Sequence, residues 1–283
     1  MNFRVSCDLA YQLNQSATFL FALKCLETGG QKIIRESLET NPHVEIEDFH
    51  IVSGMNRFSR LLTHNPGALE ISYEAEMSIS QGIMNVEEIR FNRTSNLNPE
   101  GIPFLFPSRY CQSDILRQEA NEMFGHIDGP HAIASAVSDW IYENISYVSG
   151  SSGETSSALD AMHERQGVCR DFAHLGITLC RALSVPARYV TVYAYQLDPP
   201  DFHACFEVFI GGWWYIFDAT RLAPLNGLIR IATGRDAADA AVCTIFGDPQ
   251  LTKSQVRCEV LDSNFVPVTR DSLVEANQAI ILL

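Results

Sequence analysis

The chain has 283 residues, 46% of them hydrophobic, which is enough to bury a full core and to form one large domain or two ordinary ones. It carries 20 Lys and Arg against 34 Asp and Glu, and the resulting net charge of −14 disfavours a nucleic-acid-binding surface. The first residues lack the charged region, long apolar run and cleavage site of a signal peptide, and the apolar patch at residues 18–23 is too short to span a bilayer. We therefore expect a cytoplasmic protein with no nucleic-acid or membrane partner.

Short apolar or alternating runs recur through the first 110 residues, and turn residues separate them. This spacing predicts a mostly antiparallel sandwich, which we assign to an N-terminal β domain of residues 1–110. A stretch rich in Pro, Gly and Asn at residues 96–107 marks the boundary with a second domain, residues 111–250. Residues 251–283 are expected to add strands that pack on either domain. The predicted N-terminal strands are residues 3–13, 17–26, 44–53, 57–63 and 68–79.

Four helices are predicted in the second domain. Ser113 is suited to cap the first, over residues 114–123, and Pro130 is suited to the first turn of the second. The third, residues 155–165, leads to Cys169, where the fourth begins. The fourth helix has apolar or small residues at steps of four, three and four, namely Phe172, Gly176, Leu179 and Leu183.

The start of a helix is a favourable place for a nucleophilic cysteine. Unpaired backbone N–H groups and the positive end of the helix dipole stabilise a thiolate there, and Cys169 has this position. The chain contains eight cysteines but no Cys-x-x-Cys pair and no clustered Cys/His spacing, so no metal centre and no cofactor are predicted. Most of the other cysteines are expected to be buried free thiols.

Two strand-like segments, residues 203–210 and 213–218, flank a Gly-Gly dipeptide and predict a hairpin with a two-residue turn. The register that follows places four polar or small residues on one face, His203, Cys205, Asp218 and Thr220, with the imidazole and the carboxylate within reach of each other. The opposite face is apolar and is expected to be the only one in the core. Trp213 falls on that core face by parity.

A cysteine, an imidazole and a carboxylate together predict nucleophilic catalysis. The histidine would take the thiol proton and later protonate the leaving amine, while the aspartate would orient the ring. His163 and His174 are rival bases, but His174 is expected to pack inside the protein and His163 to lie at the surface.

The segments GVCRDFAHL and HACFEVFIGGWWYIFDAT resemble the transglutaminase-like superfamily, a papain-like group of cysteine enzymes. The resemblance matches Cys169 to the nucleophile, His203 to the base and Asp218 to the orienting carboxylate, with Asp171 and Thr220 as structural residues near the site. It implies an α+β fold, a papain-like transglutaminase core in which the helix of the nucleophile packs on an antiparallel sheet, plus an N-terminal β-sandwich-like domain.

Three further residues are candidates for the groove. Gln166 is a possible side-chain donor to an oxyanion beside the backbone N–H of the nucleophile, and Trp214 falls on the site face of the hairpin, where it would line an acyl groove. Cys205 departs from the family pattern, because many relatives have a tryptophan at that position. The run at residues 234–240 also resembles bacterial members and is expected to be structural.

The acceptor of the acyl group is left open by the resemblance, because proteases, amidases, deamidases and cross-linking transglutaminases share the triad. Since no EF-hand calcium loop is present, hydrolysis of a peptide or carboxamide bond through a thioester is favoured over cross-linking. The alternative is a catalytically inactive peptide-binding or scaffold protein that uses the same groove. A metal site made of Cys169, His203 and Asp218 is disfavoured because a fourth ligand is missing. The expected partner is a peptide or protein substrate.

Overall fold

The fold is taken from a computed structural model, which describes residues 1–50, 56–90 and 97–282. The first part of the chain is almost entirely strands, with two short 3-10 helices, Val86–Glu88 and Pro99–Leu105, after the last of them. The strands are β1 (Asn2–Leu13), β2 (Ala17–Phe21), β3 (Gln31–Asn41), β4 (Ile46–His50), β5 (Arg57–Thr63), β6 (Gly67–Ile79) and β7 (Gln81–Asn85).

The remainder of the chain contains all six α-helices of the described residues and nine strands. A two-residue strand pair, β8 and β9, brackets the third helix, and a 3-10 helix lies at Leu225–Gly227. The helices are α1 (Arg117–Phe124), α2 (Pro130–Asn144), α3 (Ala158–Glu164), α4 (Cys169–Ala182), α5 (Ala237–Ala240) and α6 (Arg270–Glu275). The strands are β8 (Ser146–Tyr147), β9 (Gln166–Gly167), β10 (Ala187–Ala194), β11 (Phe202–Ile210), β12 (Trp213–Phe217), β13 (Leu228–Gly234), β14 (Cys243–Phe246), β15 (Gln250–Val260) and β16 (Gln278–Leu282).

The N-terminal strands form two four-stranded antiparallel sheets, in the orders β15-β1-β6-β3 and β14-β2-β5-β4. Along β1 every second residue is buried, as expected for a strand with one face on a core. Tyr11 of the first sheet contacts Phe19 of the second with 5.0 Å between ring centroids, so these two sheets pack against each other. The predicted antiparallel N-terminal β region is therefore confirmed.

Most predicted strand bounds agree with the structure to within about two residues, but two N-terminal ones differ. The strand expected over residues 17–26 ends at Phe21, and the one expected over residues 44–53 lies partly outside the described residues. The long strand β3 was not predicted. Its neighbouring apolar residues Ile33 and Ile34 break the alternation, and most of its side chains are exposed, so the sequence carries no period of two.

The second half of the chain supplies five strands of a six-stranded sheet in the order β13-β10-β11-β12-β16-β7, with α4 packed on one face. The helix approaches β11 closely at Gly176, where a Cβ atom would lie 2.6 Å from the ring of Phe206. All twelve residues from Asp171 to Ala182 are buried. The α+β fold with a helix on an antiparallel sheet is confirmed.

The expectation that only one hairpin face belongs to the core is wrong. The face that carries Cys205 and Ile216 is also buried, because Leu225, Leu273 and Ile280 pack over it. These covering residues come from distant parts of the chain, and local alternation cannot predict them. Trp213, expected in the core, is 46% exposed because it lies directly beside the turn.

Two helix starts also differ from the sequence expectation. The helix expected from residue 114 begins at Arg117 after a turn, and Ser113 is buried rather than capping it. The third helix begins at Ala158, after Ser157, whose backbone N–H donates to Asp160. In the described part of the chain, every helix is too short or too polar to traverse a lipid bilayer.

The sheets draw strands from all three predicted segments. From the last part of the chain, β15 pairs with β1, whereas β16 pairs with both β12 and β7. The strand β7 comes from the first 110 residues but extends the six-stranded sheet. The boundaries 1–110, 111–250 and 251–283 stay predictions, but the segments are interleaved in space.

Candidate active site

Cys169 is the first residue of α4 and is partly exposed, in contrast to the buried helix behind it. The start of the helix is held by Asp171, whose Oδ2 accepts hydrogen bonds from the backbone N–H of Val168 at 2.9 Å and from the hydroxyl of Ser152. The Asp171 side chain is 1% exposed. It therefore contributes to the site by fixing the turn that presents the thiol.

The hairpin brings the imidazole and the carboxylate together. Its turn is made by Gly211 and Gly212, with φ angles of 62° and 92°, as a tight two-residue turn requires. The pairing of β11 with β12 follows the predicted register. Asp218 follows β12 directly, and its Oδ2 lies 2.9 Å from Nε2 of His203. Both residues are buried.

Thr220 holds the carboxylate in place. Its backbone N–H donates to Oδ1 of Asp218 at 3.0 Å, and its hydroxyl donates to the same oxygen at 2.7 Å. Each carboxylate oxygen thus has a distinct partner, one the threonine and the other the histidine. The arrangement keeps Asp218 from rotating away from the ring.

The charges of the buried pair support each other. Burial disfavours the imidazolium and lowers the pKa of His203, but attraction to Asp218 outweighs burial, and the pKa is raised well above its ordinary value. Burial likewise raises the pKa of Asp218, whereas His203 and the bonds from Thr220 lower it, and the net direction is down. The pair is therefore stable as imidazolium and carboxylate.

The second ring nitrogen of His203 is available for chemistry. Nδ1 is buried and has no hydrogen-bond partner at ordinary distance among the described residues. The Cys169 side chain lies close enough to His203 to help raise the pKa of the imidazole. Since Nε2 is taken by Asp218, the thiol is the group that Nδ1 can serve.

Cys169 and His203 open onto one cleft of about 850 Å³. Tyr189 and Arg170 line the cleft near them, and burial raises the pKa of Tyr189 well above its ordinary value. The far wall is formed by a run of small residues around α5 and by the following strand β14. The wall residues include Ala237, Ala238, Ala240, Ala241, Cys243, Thr244 and Ile245. The sequence hypothesis treated the run at 234–240 as structural only and missed its contribution to the cleft.

Tyr147 is a second residue that the sequence hypothesis did not include. The parallel pairing of β8 with β9 sets it beside Gly167, and its ring lies 5.8 Å from that of Phe172. Burial raises the pKa of Tyr147, and the Cys169 thiol raises it further, whereas the backbone N–H of Cys169 beside the hydroxyl opposes both. A two-residue strand is too short to show a hydrophobic period. The position of Tyr147 just before the loop to α3 is therefore the only sequence signal that places it near the site.

The structure separates Trp214 from the cleft. The ring is 8% exposed, the Arg188 guanidinium lies 3.8 Å above it, and Nε1 donates to Glu100 at 3.1 Å. The expectation that Trp214 lines an acyl groove is therefore not supported, because an ion-pair network covers that part of the hairpin face. Gln166 lies in β9, opposite Ser146, and is not among the residues that line the cleft.

Cys205 lies beside the histidine but is fully buried, and burial raises the pKa of its thiol to about 12. The ligand atoms of His203, Cys205 and Asp218 all lie within 4.8 Å of one another. Such a set could in geometry hold a soft metal ion, but the carboxylate is already bonded to the ring and to Thr220.

The rival base His174 is part of the packing. Its ring stacks on Tyr110 at 5.0 Å, and its Nε2 accepts a hydrogen bond from the backbone N–H of Ala237. Burial lowers the pKa of His174 well below its ordinary value, so the ring is neutral. His163 lies near the end of α3 with its side chain exposed.

Comparison with known proteins agrees with this architecture. Residues 1–96 match the bacterial transglutaminase N-terminal domain, and residues 117–219 match the core of the transglutaminase-like superfamily. The crystal structure of a "Putative Cysteine Protease" from Cytophaga hutchinsonii is 48% identical, with a TM-score of 0.96, over 100% of this chain and 98% of that one. An uncharacterised protein of Mycobacterium leprae (strain TN) is 32% identical over 120 residues, which are 40% of this chain and only 43% of that relative. With both of its parts matched and a full-length relative at this identity, the chain belongs to the transglutaminase-like superfamily.

Proposed function

We propose that this protein is a cysteine-dependent hydrolase of peptide or carboxamide bonds, with Cys169 as nucleophile, His203 as acid and base, and Asp218 as the orienting carboxylate. The observation that carries the proposal is the buried pair of His203 and Asp218, in which His203 lines the same cleft as the helix-start thiol of Cys169. A buried ion pair of this kind costs desolvation and needs a reason to be present.

In the resting site, Nδ1 of the His203 imidazolium holds the proton that Cys169 has given up, and the thiolate attacks the carbonyl carbon of the substrate. The charge that develops on the carbonyl oxygen is stabilised by the backbone N–H of Cys169 at the helix start. The imidazolium then gives its proton to the leaving nitrogen, the carbon–nitrogen bond breaks, and an amine or ammonia departs. A thioester between Cys169 and the acyl group remains.

In the second half, His203 removes a proton from water, and the resulting hydroxide attacks the thioester carbonyl. The carbon–sulfur bond then breaks, the carboxylic acid leaves, and the thiolate of Cys169 and the imidazolium of His203 are restored. A primary amine in place of water would give a cross-link instead. Hydrolysis is supported by the cysteine-protease name of the full-length relative at 48% identity.

The direct test incubates the protein with a mixture of peptides, with and without a primary amine, and measures product masses. We expect cleavage or loss of ammonia that Cys169→Ala abolishes. The matched control is Cys180→Ala, which removes a buried thiol from the same helix but away from the cleft. Products that persist in Cys169→Ala would contradict the proposed nucleophile, and amine incorporation would replace hydrolysis by transfer.

The second candidate is an inactive protein that binds peptides in the same cleft. It is favoured by the width of the cleft, about 850 Å³, which Cys169 lines together with a second partly exposed thiol, Cys243. Alkylation with iodoacetamide at neutral pH separates the two functions, because a catalytic Cys169 should react well before the seven other cysteines. If Cys169 reacts no faster than the seven other cysteines, the peptide-binding function is favoured instead.

A further inference from the structure

The strand β14 forms one edge of the sheet β14-β2-β5-β4, and β2 is its only partner strand in the described part of the chain. Edge strands carry a row of backbone N–H and C=O groups that are free to pair with another chain. Phe246 at the end of β14 is 60% exposed, which leaves apolar surface next to this edge.

The ladder register identifies which groups face outward. The backbone N–H of Ala22 donates to the carbonyl of Val242 at 2.8 Å, and this pair continues the register in which Phe21 faces Cys243. Since hydrogen-bonded pairs recur at every second residue of an antiparallel ladder, Thr244 points its backbone groups at β2. The N–H and C=O groups of Cys243 and Ile245 therefore point away from the sheet.

The outward edge faces the cleft that contains the nucleophile. Three consecutive residues of β14, Cys243, Thr244 and Ile245, line that cleft together with Cys169 and His203. Side chains of consecutive strand residues point to opposite faces, so a run of neighbours can border one cavity only through the edge of the strand. The edge and the thiol are therefore parts of one continuous surface.

The cleft wall between the edge of β14 and the thiol of Cys169 leaves room for the main chain of a peptide. The residues from α5 to β14 that border the cleft include four alanines, and their single methyl groups leave room for a main chain to approach. Charged residues at the rim, Glu154, Arg170 and Asp248, are of both signs. The cleft thus offers main-chain hydrogen bonds and small apolar contacts rather than a pocket for one charged side chain.

We propose that the substrate is an extended polypeptide segment that adds a fifth strand to this sheet, pairing with the outward groups of Cys243 and Ile245. The pairing would bring the reacting carbonyl across the alanine wall to Cys169. This inference rests on the proposed function, because it concerns the same cleft. Recognition of this kind reads the substrate main chain, with side-chain selectivity only at alternate positions.

Hydrogen exchange of individual amides tests the pairing without needing turnover. The probe is a randomised dodecapeptide library with acetylated and amidated ends, added to Cys169→Ala protein so that bound peptides stay intact. We expect the amides of Cys243 and Ile245 to exchange at least about 10-fold more slowly with the library, while those of Thr244 and Phe246, already bonded to β2, stay unchanged. Unchanged exchange at Cys243 and Ile245 would overturn the proposal, as would equal slowing throughout the protein.

A pair of variants tests the same contact during turnover. Ile245→Pro removes one outward N–H without removing a donor from the ladder with β2, and Ile245→Ala shortens the side chain but keeps that N–H. We expect kcat/KM for the library to fall about 10-fold more in Ile245→Pro than in Ile245→Ala, as for the loss of one hydrogen bond, whereas the two variants should have equal kcat/KM for a short dipeptide amide. Equal effects on the long and short substrates would overturn the proposal.

The two proposals fail in different ways. If the proposed function is wrong, hydrolysis of the library is absent or survives in Cys169→Ala, whatever the exchange of the β14 amides. If only the strand pairing is wrong, hydrolysis depends on Cys169 but Ile245→Pro behaves like Ile245→Ala. Circular dichroism of both Ile245 variants shows whether either has lost its fold.

Discussion

The Asp218 carboxylate is the strongest of the influences that keep the proton on His203. Burial lowers the pKa of the imidazole, and attraction to Asp218 is the largest of the causes that raise it, ahead of those from the nearby Cys205 and Cys169 thiols. Because the proposed reaction needs an imidazolium to protonate the leaving nitrogen, activity is retained below the pKa of His203 and is lost as the pH rises through it. The basic limb of the rate profile therefore reports on Asp218.

We expect Asp218→Asn to move this basic limb to lower pH and to reduce kcat/KM by about 10⁴-fold at neutral pH, as loss of an orienting carboxylate does in such triads. The measurement is kcat/KM against pH for both proteins. The control is Asp139→Asn, which removes a half-exposed carboxylate bonded to Arg221 and Arg270. A basic limb that stays in place in Asp218→Asn would show that His203 is not the group that titrates.

The residues near the site differ in how well their positions could be predicted from the sequence. The His203 and Asp218 pair was predictable because a two-residue glycine turn sets the hairpin register, and parity then sets the face. The same parity placed Trp214 on the site face but could not show that Arg188 covers it. Parity assigns a side of a sheet, whereas the neighbours on that side come from elsewhere in the chain.

The contact between α4 and β11 depends on a missing side chain. The ring of Phe206 occupies the space above Gly176, and a Cβ atom there would overlap the ring. We expect Gly176→Ala to lower the free energy of unfolding by about 1–3 kcal/mol, because α4 is buried and the sheet cannot yield easily. Gly153→Ala is the matched control, since nothing lies within 4 Å of its added methyl group. Equal urea denaturation curves for the two variants would contradict the close packing.

Three strands of the central sheet are joined by a buried ion cluster. Glu207 on β11 contacts Arg188 on β10 and Arg230 on β13, each at 2.6 Å, and its side chain has no exposed surface. Burial raises the pKa of Glu207, but the two arginines outweigh it and the net direction is down. The carboxylate is therefore charged, and both arginines contact it.

We expect Glu207→Gln to destabilise the protein by about 3–5 kcal/mol, because it removes a buried negative charge that two buried guanidinium groups contact. In Glu47→Gln, which breaks the half-exposed pair with Arg60, the expected loss is below about 1 kcal/mol. The free energies of unfolding from urea titrations decide between the two expectations. Similar losses in both variants would mean that the buried cluster contributes no more than a surface pair.

At the scale of the whole molecule, sequence order and spatial order diverge. Local period predicted most helices and strands of the second half, but the strand orders require β14 and β15 to complete the N-terminal sheets and β7 to extend the central one. Such pairings join residues more than a hundred positions apart, and a single sequence contains no signal for them. Local sequence patterns therefore favour a division into consecutive domains, because they contain no information about these distant pairings.

The contacts between the N-terminal strands and the central six-stranded sheet predict how the protein unfolds. The side chain of Gln31 accepts from the backbone N–H of Arg230 and donates to its carbonyl, at 2.9 and 2.8 Å, so it binds the start of β3 to β13. The Tyr193 hydroxyl, on β10, donates to the carbonyl of Leu23 at 2.9 Å. One continuous apolar cluster also extends across both parts. Neither part can lose its structure without exposing the core of the other.

We therefore expect a single cooperative transition, measured by pulsed alkylation during urea unfolding. Cys25 lies in the N-terminal part and Cys180 in α4, and both are fully buried, so each becomes reactive only when its surroundings open. The urea concentrations at which half of each thiol becomes reactive should coincide in the unaltered protein. Both should fall by the same amount in Gln31→Ala, which loses the hydrogen bonds to the backbone of Arg230. Separate midpoints, or a shift confined to Cys25, would mean that the two parts unfold independently despite their shared strands.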